Sequence, residues 1–439
     1  MPSRPTCSPL RWADLTGSAV GVWGIGTEGR ASLARLSAMG IAPAAIVDDV
    51  PEDPRVLATA EGGLEALARC DIVVKTPGIS RYSDEVGELE RAGLAVVGGL
   101  GLWLETVGSD RVVGITGTKG KSTTTSVAGH LARRLGVDAF VGGNLGIPPW
   151  DPTAPESPRL WLIEVSSYQA TDLWSSPAVA AATSLHPDHL NWHDTVEHYY
   201  DDKLSLFGKP GGRVVVANGT DERLRERTNR LVPGPIWVDE INPQPAWVAE
   251  LRLRGRHNQI NALIAARCLT EVGVAEADDP HRLKEVAVGY EPLPSRLTTV
   301  AVIDGVEYVD DSLSTNVLPT IAAVDVFADQ PLALIVGGFD RNIDYIPLAL
   351  HLARRTERTI AFTVPQNGQR IASAIASVGG ACENCDSIAE AVGRAAEWST
   401  PGSVVLLSPA AASYGLFRNY TARAQVFRQA VALLAGSNE

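Results

Sequence analysis

At 439 residues the chain is too long for one ordinary hydrophobic core, so two or three domains are expected. It is 45% hydrophobic and 20% charged, it has no run of about 18 apolar residues to span a membrane, and residues 1–15 lack the apolar stretch of a signal peptide, which points to a cytoplasmic globular protein. A net charge of -13 without a Lys/Arg run argues against nucleic acid as a partner.

The first predicted strand is Ala19-Val-Gly-Val-Trp-Gly24, and strands at Ala45-Ile-Val-Asp48, Ile72-Val-Val and Ala95-Val-Val follow, with helical patterns between them. Gly24-Ile-Gly-Thr-Glu-Gly29 matches G-x-G-x-x-G after the first strand, and Asp48 ends the second. Taken alone this is a dinucleotide site, because the glycines let backbone approach a pyrophosphate at a helix N-terminus. The same geometry serves the diphosphate of a UDP-sugar, and a ligand-free tight turn would look similar.

A second block opens with the strand Arg111-Val-Val-Gly-Ile-Thr116 and carries Gly114-Ile-Thr-Gly-Thr-Lys-Gly-Lys-Ser-Thr123, before a helix expected from near Thr124. Gly-Lys-Ser puts a lysine on β/γ-phosphates and a hydroxyl near Mg²⁺, with loop amides around the phosphate oxygens. Ile115 stands where the common P-loop has glycine, so this is a variant with a shorter arch. Later strands are expected at Leu160-Trp-Leu-Ile-Glu164, Ala180-Ala-Ala-Thr-Ser184 and Arg213-Val-Val-Val-Ala217. Glu164, at a buried strand end, is a hard oxygen ligand suited to Mg²⁺. His186, Asp188, His189 and His193 invite a zinc reading, although their spacing fits no helical H-x-x-x-H pair. Lys203 falls on a helix expected over residues 199–207, where a plain surface lysine is the alternative.

The third block follows the hinge Tyr290-Glu-Pro-Leu-Pro294, with strands at Glu307-Tyr-Val-Asp310, Leu332-Ala-Leu-Ile-Val336, Thr359-Ile-Ala-Phe-Thr363 and Val404-Val-Leu-Leu407. The alternation of apolar runs and helical patterns makes the class α/β. Of five cysteines, only Cys382 and Cys385 form a C-x-x-C; without a second pair nearby they are expected to be ordinary thiols near a strand end.

Several segments together resemble the Mur ligase family. Gly117-Thr-Lys-Gly-Lys-Ser-Thr123 resembles its ATP loop, Gly142-Gly-Asn-Leu-Gly146 its substrate loop, and Glu164-Val-Ser-Ser-Tyr-Gln169 its E-x-S-S-[FY]-Q segment. Asp188-His-Leu-Asn191, Tyr200-Asp-Asp-Lys203, Gly255-Arg-His-Asn258, Pro294-Ser-Arg296, Asp311-Ser-Leu-Ser-Thr-Asn316 and Ser408-Pro-Ala continue the series in the family's order. The resemblance implies a three-domain architecture: a Rossmann-like UDP-binding domain over 1–108, a P-loop ATPase domain over 109–292, and a Rossmann-like domain over 293–439 that takes the incoming amino acid.

By the same resemblance, Gly117, Thr118, Lys119, Gly120, Lys121, Ser122, Thr123, Asn258, Arg296 and Asp311 meet ATP. Gly24, Gly26, Asp48, Thr76, Pro77, Gly78 and Asn144 surround the UDP substrate. Thr315, Arg341, Ser413 and Tyr414 take the amino acid. Ser122, Glu164, His189 and Lys203 hold Mg²⁺, two ions in all, with Lys203 carbamylated by CO₂. Lys121, His189 and Lys203 form the catalytic set. The chemistry implied is amide formation in peptidoglycan precursor synthesis: a carboxylate attacks the γ-phosphate of ATP to give an acyl phosphate and ADP, and an amine then displaces phosphate. A monomer is the expected assembly.

The nearest branch adds glutamate to UDP-N-acetylmuramoyl-L-alanine. Its commonest members carry D-S-K-A-T-N and G-G-D-x-K, whose lysines serve the carboxylates of D-glutamate; here Leu313 and Arg341 stand in those places. A smaller branch that attaches L-glutamate resembles this chain in Asp311-Ser-Leu-Ser-Thr315, Gly337-Gly-Phe-Asp-Arg341 and Ser408-Pro-Ala-Ala-Ala-Ser-Tyr-Gly415, so L-glutamate is the expected substrate. D-glutamate addition, a folylpolyglutamate synthase-like activity and an NAD oxidoreductase are the alternatives.

Overall fold

The computed structural model describes residues 7–188, 190–193 and 195–436. Three sheets organise the chain. The first contains β1 (Val20–Trp23), β2 (Ala45–Asp48), β3 (Leu57–Ala58), β4 (Ile72–Lys75) and β5 (Ala95–Gly98), in the order β3-β2-β1-β4-β5. The second contains β6 (Val112–Thr116), β7 (Ala139–Gly143), β8 (Leu160–Glu164), β9 (Val179–Ala182), β10 (Val214–Asn218) and β11 (Pro235–Val238), in the order β11-β10-β9-β6-β8-β7. Both are parallel throughout. That follows from strands such as Val112–Thr116 and Leu160–Glu164, apolar on both faces and buried at every residue under helices on either side.

The third sheet contains β12 (Thr298–Ile303), β13 (Val306–Asp310), β14 (Leu332–Gly337), β15 (Thr359–Val364), β16 (Cys382–Asn384) and β17 (Val404–Leu407), in the order β12-β13-β17-β14-β15-β16. Only β12 runs antiparallel to its neighbour. The chain divides into two compact units: Met1–Leu251 with Asn258–Tyr290, and Arg252–His257 with Glu291–Glu439. The break at Tyr290 falls on the proline-rich hinge.

Within the first unit, one apolar cluster runs through both sheets, from Trp12, Val22, Val74 and Val97 to Val112, Ile163, Ala180 and Val215. A buried ion cluster accompanies it. Asp172 receives Lys75 Nζ at 2.7 Å and Arg81 Nη2 at 2.7 Å, and Arg81 Nη1 reaches Glu90 at 2.9 Å. Charges this deep persist because each has an opposite partner. Among the described residues no helix is long and apolar enough to cross a membrane.

Candidate functional site

In open parallel sheets, ligands gather beyond the carboxyl ends of the strands where strand order reverses. In the first sheet β1 lies between β2 and β4, and the loops leaving β1 and β4 are 24–29 and 76–78. A Cβ on Gly29 would lie 1.9 Å from the Gly24 carbonyl oxygen, so the third glycine is demanded by close packing of helix Thr27–Ala38 on the strand end. Asp48 turns inward on the loop: its Oδ2 accepts from the Ile25 amide at 2.7 Å and its Oδ1 from the Val50 amide at 3.1 Å. The carboxylate expected among the residues around the UDP substrate therefore braces the glycine loop and uses up one of its amides. Glu28, in the first turn, accepts from Gln169 Nε2 at 2.6 Å, and burial pushes its carboxyl up to about 7.

The second loop leaves β6 at the centre of its sheet. The helix it opens runs Lys121–Arg134, three residues earlier than the sequence indicates, because Gly120 at φ +90° ends the loop and releases the chain directly into the first turn at Lys121 and Ser122. Any side chain at 120 would meet Asn261 Oδ1 at 2.4 Å. Asn261 also donates to Asn258 Oδ1 at 3.1 Å, so the helix Arg256–Glu271 brings Asn258 behind the loop. The Thr118 hydroxyl bridges the His186 carbonyl and the Tyr199 hydroxyl, at 3.0 and 2.9 Å. Lys119 points to Asp188, 3.3 Å away.

Two lysines meet at one carbonyl. Lys121 Nζ donates to Gly117 O at 2.9 Å, and Lys203 Nζ donates to the same oxygen at 3.1 Å. Lys203 lies on helix Val196–Leu204, which starts before the span expected from sequence, and only 3% of it is exposed. It is no surface lysine. Burial, with the charges of Lys121 and Lys119 adding to it, lowers its pKa well below the usual lysine value.

Glu164 ends β8, in register with Ile115 of β6, and is 2% exposed. Its Oε1 accepts from Asn144 Nδ2 at 2.6 Å, and its Oε2 is buried with no hydrogen-bond partner. A carboxylate oxygen without a donor is costly, and a cation is the partner that relieves it. The residues after it explain the rest of the E-x-S-S-[FY]-Q segment. Ser166 and Gln169 form a capping box on helix Ser167–Thr171, and the Gln169 amide continues to Glu28.

The histidines part company. His193 is fully buried, with Nδ1 2.7 Å from Asp202 Oδ2 and Nε2 3.0 Å from the Ser167 hydroxyl. His186 lies beside Arg223 and Asp221, and burial lowers its pKa. Among the described residues no three His, Cys, Asp or Glu side chains gather as a metal set. His189 lies outside the described residues. Sequence reasoning passes over the Tyr82 hydroxyl, which donates to Asp202 Oδ1. It also gives no role to Asp202, although the residue sits inside the quoted Tyr200-Asp-Asp-Lys203 segment.

In the second unit, loops 311–316, 337–341 and 408–415 leave the carboxyl ends of β13, β14 and β17, which are neighbours with β17 in the middle. Arg341 Nη2 donates to the Thr315 carbonyl at 3.0 Å, so two of the residues expected at the amino acid meet. Phe339 and Tyr414 stand edge to face with centroids 6.5 Å apart, and Tyr414 is 61% exposed. Ser413 is buried. Asp311 accepts from the Ser408 hydroxyl at 2.8 Å, and burial pushes its carboxyl up to about 7. Arg296 sits between Ser295 and Leu297, both at positive φ, and the Leu313 amide ties this turn to the Asp311 loop through Ser295 O at 3.2 Å. Cys382 lies in the edge strand β16 and Cys385 just beyond it, both free thiols.

Residues 115–236 match the Mur ligase middle domain family. A protein of Micromonospora sp. named UDP-N-acetylmuramoyl-L-alanine–L-glutamate ligase is 38% identical, over 97% of this chain and 99% of its own. Proteins of the same name from Salinispora tropica and Xanthomonas euvesicatoria are 38% and 34% identical, over 97% and 96% of this chain and 100% and 96% of theirs. Among solved structures, UDP-N-acetylmuramate-alanine ligase MurC from Thermotoga maritima aligns with a TM-score of 0.58 at 18% identity, over 96% of this chain and 100% of that one. MurF ligase from Thermotoga maritima in complex with ADP aligns at 0.56 and 14%, over 94% and 95%. At such identities the two structures speak for the fold alone.

Proposed function

Since the chain belongs to the Mur ligase family, we propose that it uses ATP to join L-glutamate to UDP-N-acetylmuramoyl-L-alanine, releasing ADP and phosphate, as a cytoplasmic monomer serving peptidoglycan precursor synthesis. The observation that carries this reading is the crowding of Lys121 and Lys203 at the Gly117 carbonyl, with Glu164, one oxygen unpartnered, acting electrostatically on Lys203. Such a site needs anions and a cation to balance it, and a nucleoside triphosphate with Mg²⁺ supplies both.

In the proposed reaction the alanyl carboxylate attacks the γ-phosphate, the bond to the β-phosphate oxygen breaks, and an acyl phosphate and ADP result. Two anions approach each other in that step. Lys121 lowers its cost by placing fixed positive charge at the phosphates, and the amides of Gly120, Lys121 and Ser122 orient the oxygens, while those of Thr118 and Lys119 are held by Ser184. Asn258 and Thr123 complete the nucleotide pocket of the first unit, and the family resemblance alone supports Arg296 and Asp311 as nucleotide residues. Loops 24–29 and 76–78, with Asp48 as brace, hold the UDP moiety, and Asn144 reaches the substrate from beside Glu164. The glutamate amine then attacks the acyl carbon and phosphate leaves.

Glu164 fits Mg²⁺ through its bare oxygen, and Ser122 and His189 complete the proposed ligand set for two ions. Mg²⁺, when bound, supplies further positive charge to the phosphate oxygens. Lys203 fits carbamylation for a physical reason: only a neutral amine adds to CO₂, and burial beside two lysines favours the neutral amine. The resulting anion would reverse the sign of the group that now crowds Lys121.

Leu313 removes one positive charge from the glutamate pocket, and Arg341 beside Thr315 restores one elsewhere. That displacement supports L-glutamate, with Ser413 and Tyr414 on the facing loop. ADP release from UDP-N-acetylmuramoyl-L-alanine with each glutamate enantiomer tests the proposal. Release with L-glutamate is expected; release only with D-glutamate corrects the enantiomer, and none with either rejects the reading.

A further inference from the structure

One guanidinium stands where the three loops of the second unit meet. Arg423, in the first turn of helix Tyr420–Gly436, is 1% exposed. Its Nη1 donates to the carbonyls of Ala411 at 2.9 Å and Ala412 at 3.2 Å, and its Nη2 to the carbonyl of Ser312 at 2.8 Å. A Cβ on Gly338 would lie 3.0 Å from the same Nη1 and 2.4 Å from the Ala412 oxygen, so the loop after β14 packs on the clamp as well. Ala412 O also accepts from the Phe339 amide at 2.9 Å. Thr315, Arg341, Ser413 and Tyr414 all sit on these loops, within three residues of an atom that the clamp holds or touches.

Packing alone does not account for an arginine here. No carboxylate lies within ion-pair distance of it among the described residues, since Asp310, the nearest acid by its electrostatic effect, is taken by Arg428 at 2.9 Å. Its Nε has no partner. A buried cation satisfied only by carbonyls, with one donor orphaned, is poorer for stability than an apolar side chain of similar volume. What the guanidinium uniquely offers is geometry: several donors in a rigid plane, able to fix carbonyls of separate loops at once. One of those loops needs fixing, because Ala410 holds φ +54° without being glycine.

We propose that Arg423 is a positioning residue that sets the relative placement of the three loops of the glutamate pocket, and through them the enzyme's affinity for glutamate and its choice of hand. The inference rests on the glutamate reading of that pocket. It assigns Arg423 no contact with substrate.

The test compares wild type with Arg423→Lys and Arg423→Met, measuring KM for glutamate, ATP and UDP-N-acetylmuramoyl-L-alanine, the ratio of kcat/KM for the two glutamate enantiomers, and the melting temperature. The expected result is a rise of about tenfold or more in KM for glutamate in both folded variants, larger for Met, with the other KM values within about twofold and weaker enantiomer discrimination. Gly338→Ala disturbs the same clamp from the opposite loop and should reproduce the selective rise, which decides the matter if neither Arg423 variant folds. An unchanged KM for glutamate, or equal rises for all three substrates, would overturn the clamp while wild-type activity stands. Wild type inactive with both enantiomers would overturn the pocket reading and the clamp together.

Discussion

The two glycine loops are nearly the same device. Each follows a buried parallel strand, each contains glycines packed too closely for a side chain, and each opens a helix. Their surroundings differ in sign. The first is braced by the carboxylate of Asp48 and followed by Glu28, while the second carries Lys119 and Lys121 and faces Lys203. Glycine spacing therefore fixes where backbone can approach a ligand, and the charges around it decide which ligand comes. Both loops have amides engaged within the fold, and the G-x-G-x-x-G spelling of the acidic loop by itself does not separate a dinucleotide from the diphosphate of a UDP-sugar. The lysine-rich loop suits a triphosphate.

The largest expected effect is at the positive loop. Lys121→Ala should reduce ADP formation on the order of a thousandfold with the melting temperature nearly unchanged, because the side chain is only partly buried and the Gly117 carbonyl keeps Lys203 as a donor. Turnover close to wild type would erase the distinction between the loops. Lys203→Ala should be inactive by a similar order and partly regain activity with short carboxylates, which can stand in for a carbamate. Activity without any added carboxylate would remove Lys203 from the reaction.

At the amino-acid pocket, L-glutamate should exceed D-glutamate in kcat/KM by roughly thirty- to a thousandfold, about 2–4 kcal/mol, since one carboxylate of the wrong hand misses Arg341. A preference for D would mean that Arg341 alone replaces both lysines of the commoner branch.

The smallest effect belongs to the acidic loop. Burial raises the Glu28 carboxyl from its ordinary value to about 7. Between the ordinary carboxylate value and that point the folded protein holds a proton that the unfolded chain releases. The stability contributed is complete in acid and is lost as pH rises through about 7. Glu28→Gln keeps the hydrogen bond to Gln169 without the charge. It should raise the melting temperature by a few degrees at about pH 8 and hardly at all at about pH 4, as thermal scans would show. A larger gain in acid would contradict the burial of Glu28.

Sequence resolved the central strands because each is a short apolar run, and both loops because their glycines are closely spaced after such a run. The short strands β3 and β16, the edge strands β7, β11 and β12, and the early start of the helix at Lys121 were not legible. Edge strands such as Thr298–Ile303 alternate between half-buried and exposed residues and lack that run. Of the site, the sequence exposed the ends of side chains and hid what supports them. Tyr82 meets Asp202, and Gln169 meets Glu28, across gaps of 120 and 141 residues that no local pattern can span. Likewise Arg423 looks like any charged residue of an amphipathic helix until three carbonyls are seen around it.

The buried cluster of Lys75, Arg81, Glu90 and Asp172 has a consequence for how the molecule comes apart. It lies inside a continuous apolar core shared by the first two sheets, so neither sheet can leave without stranding a charge in a dry interior. The first two sheets should therefore melt as one cooperative block, and calorimetry should resolve two transitions for a molecule with three sheets. Cutting the chain between Gly108 and Ser109 should leave the pieces associated, since the peptide bond there is the least of what joins them.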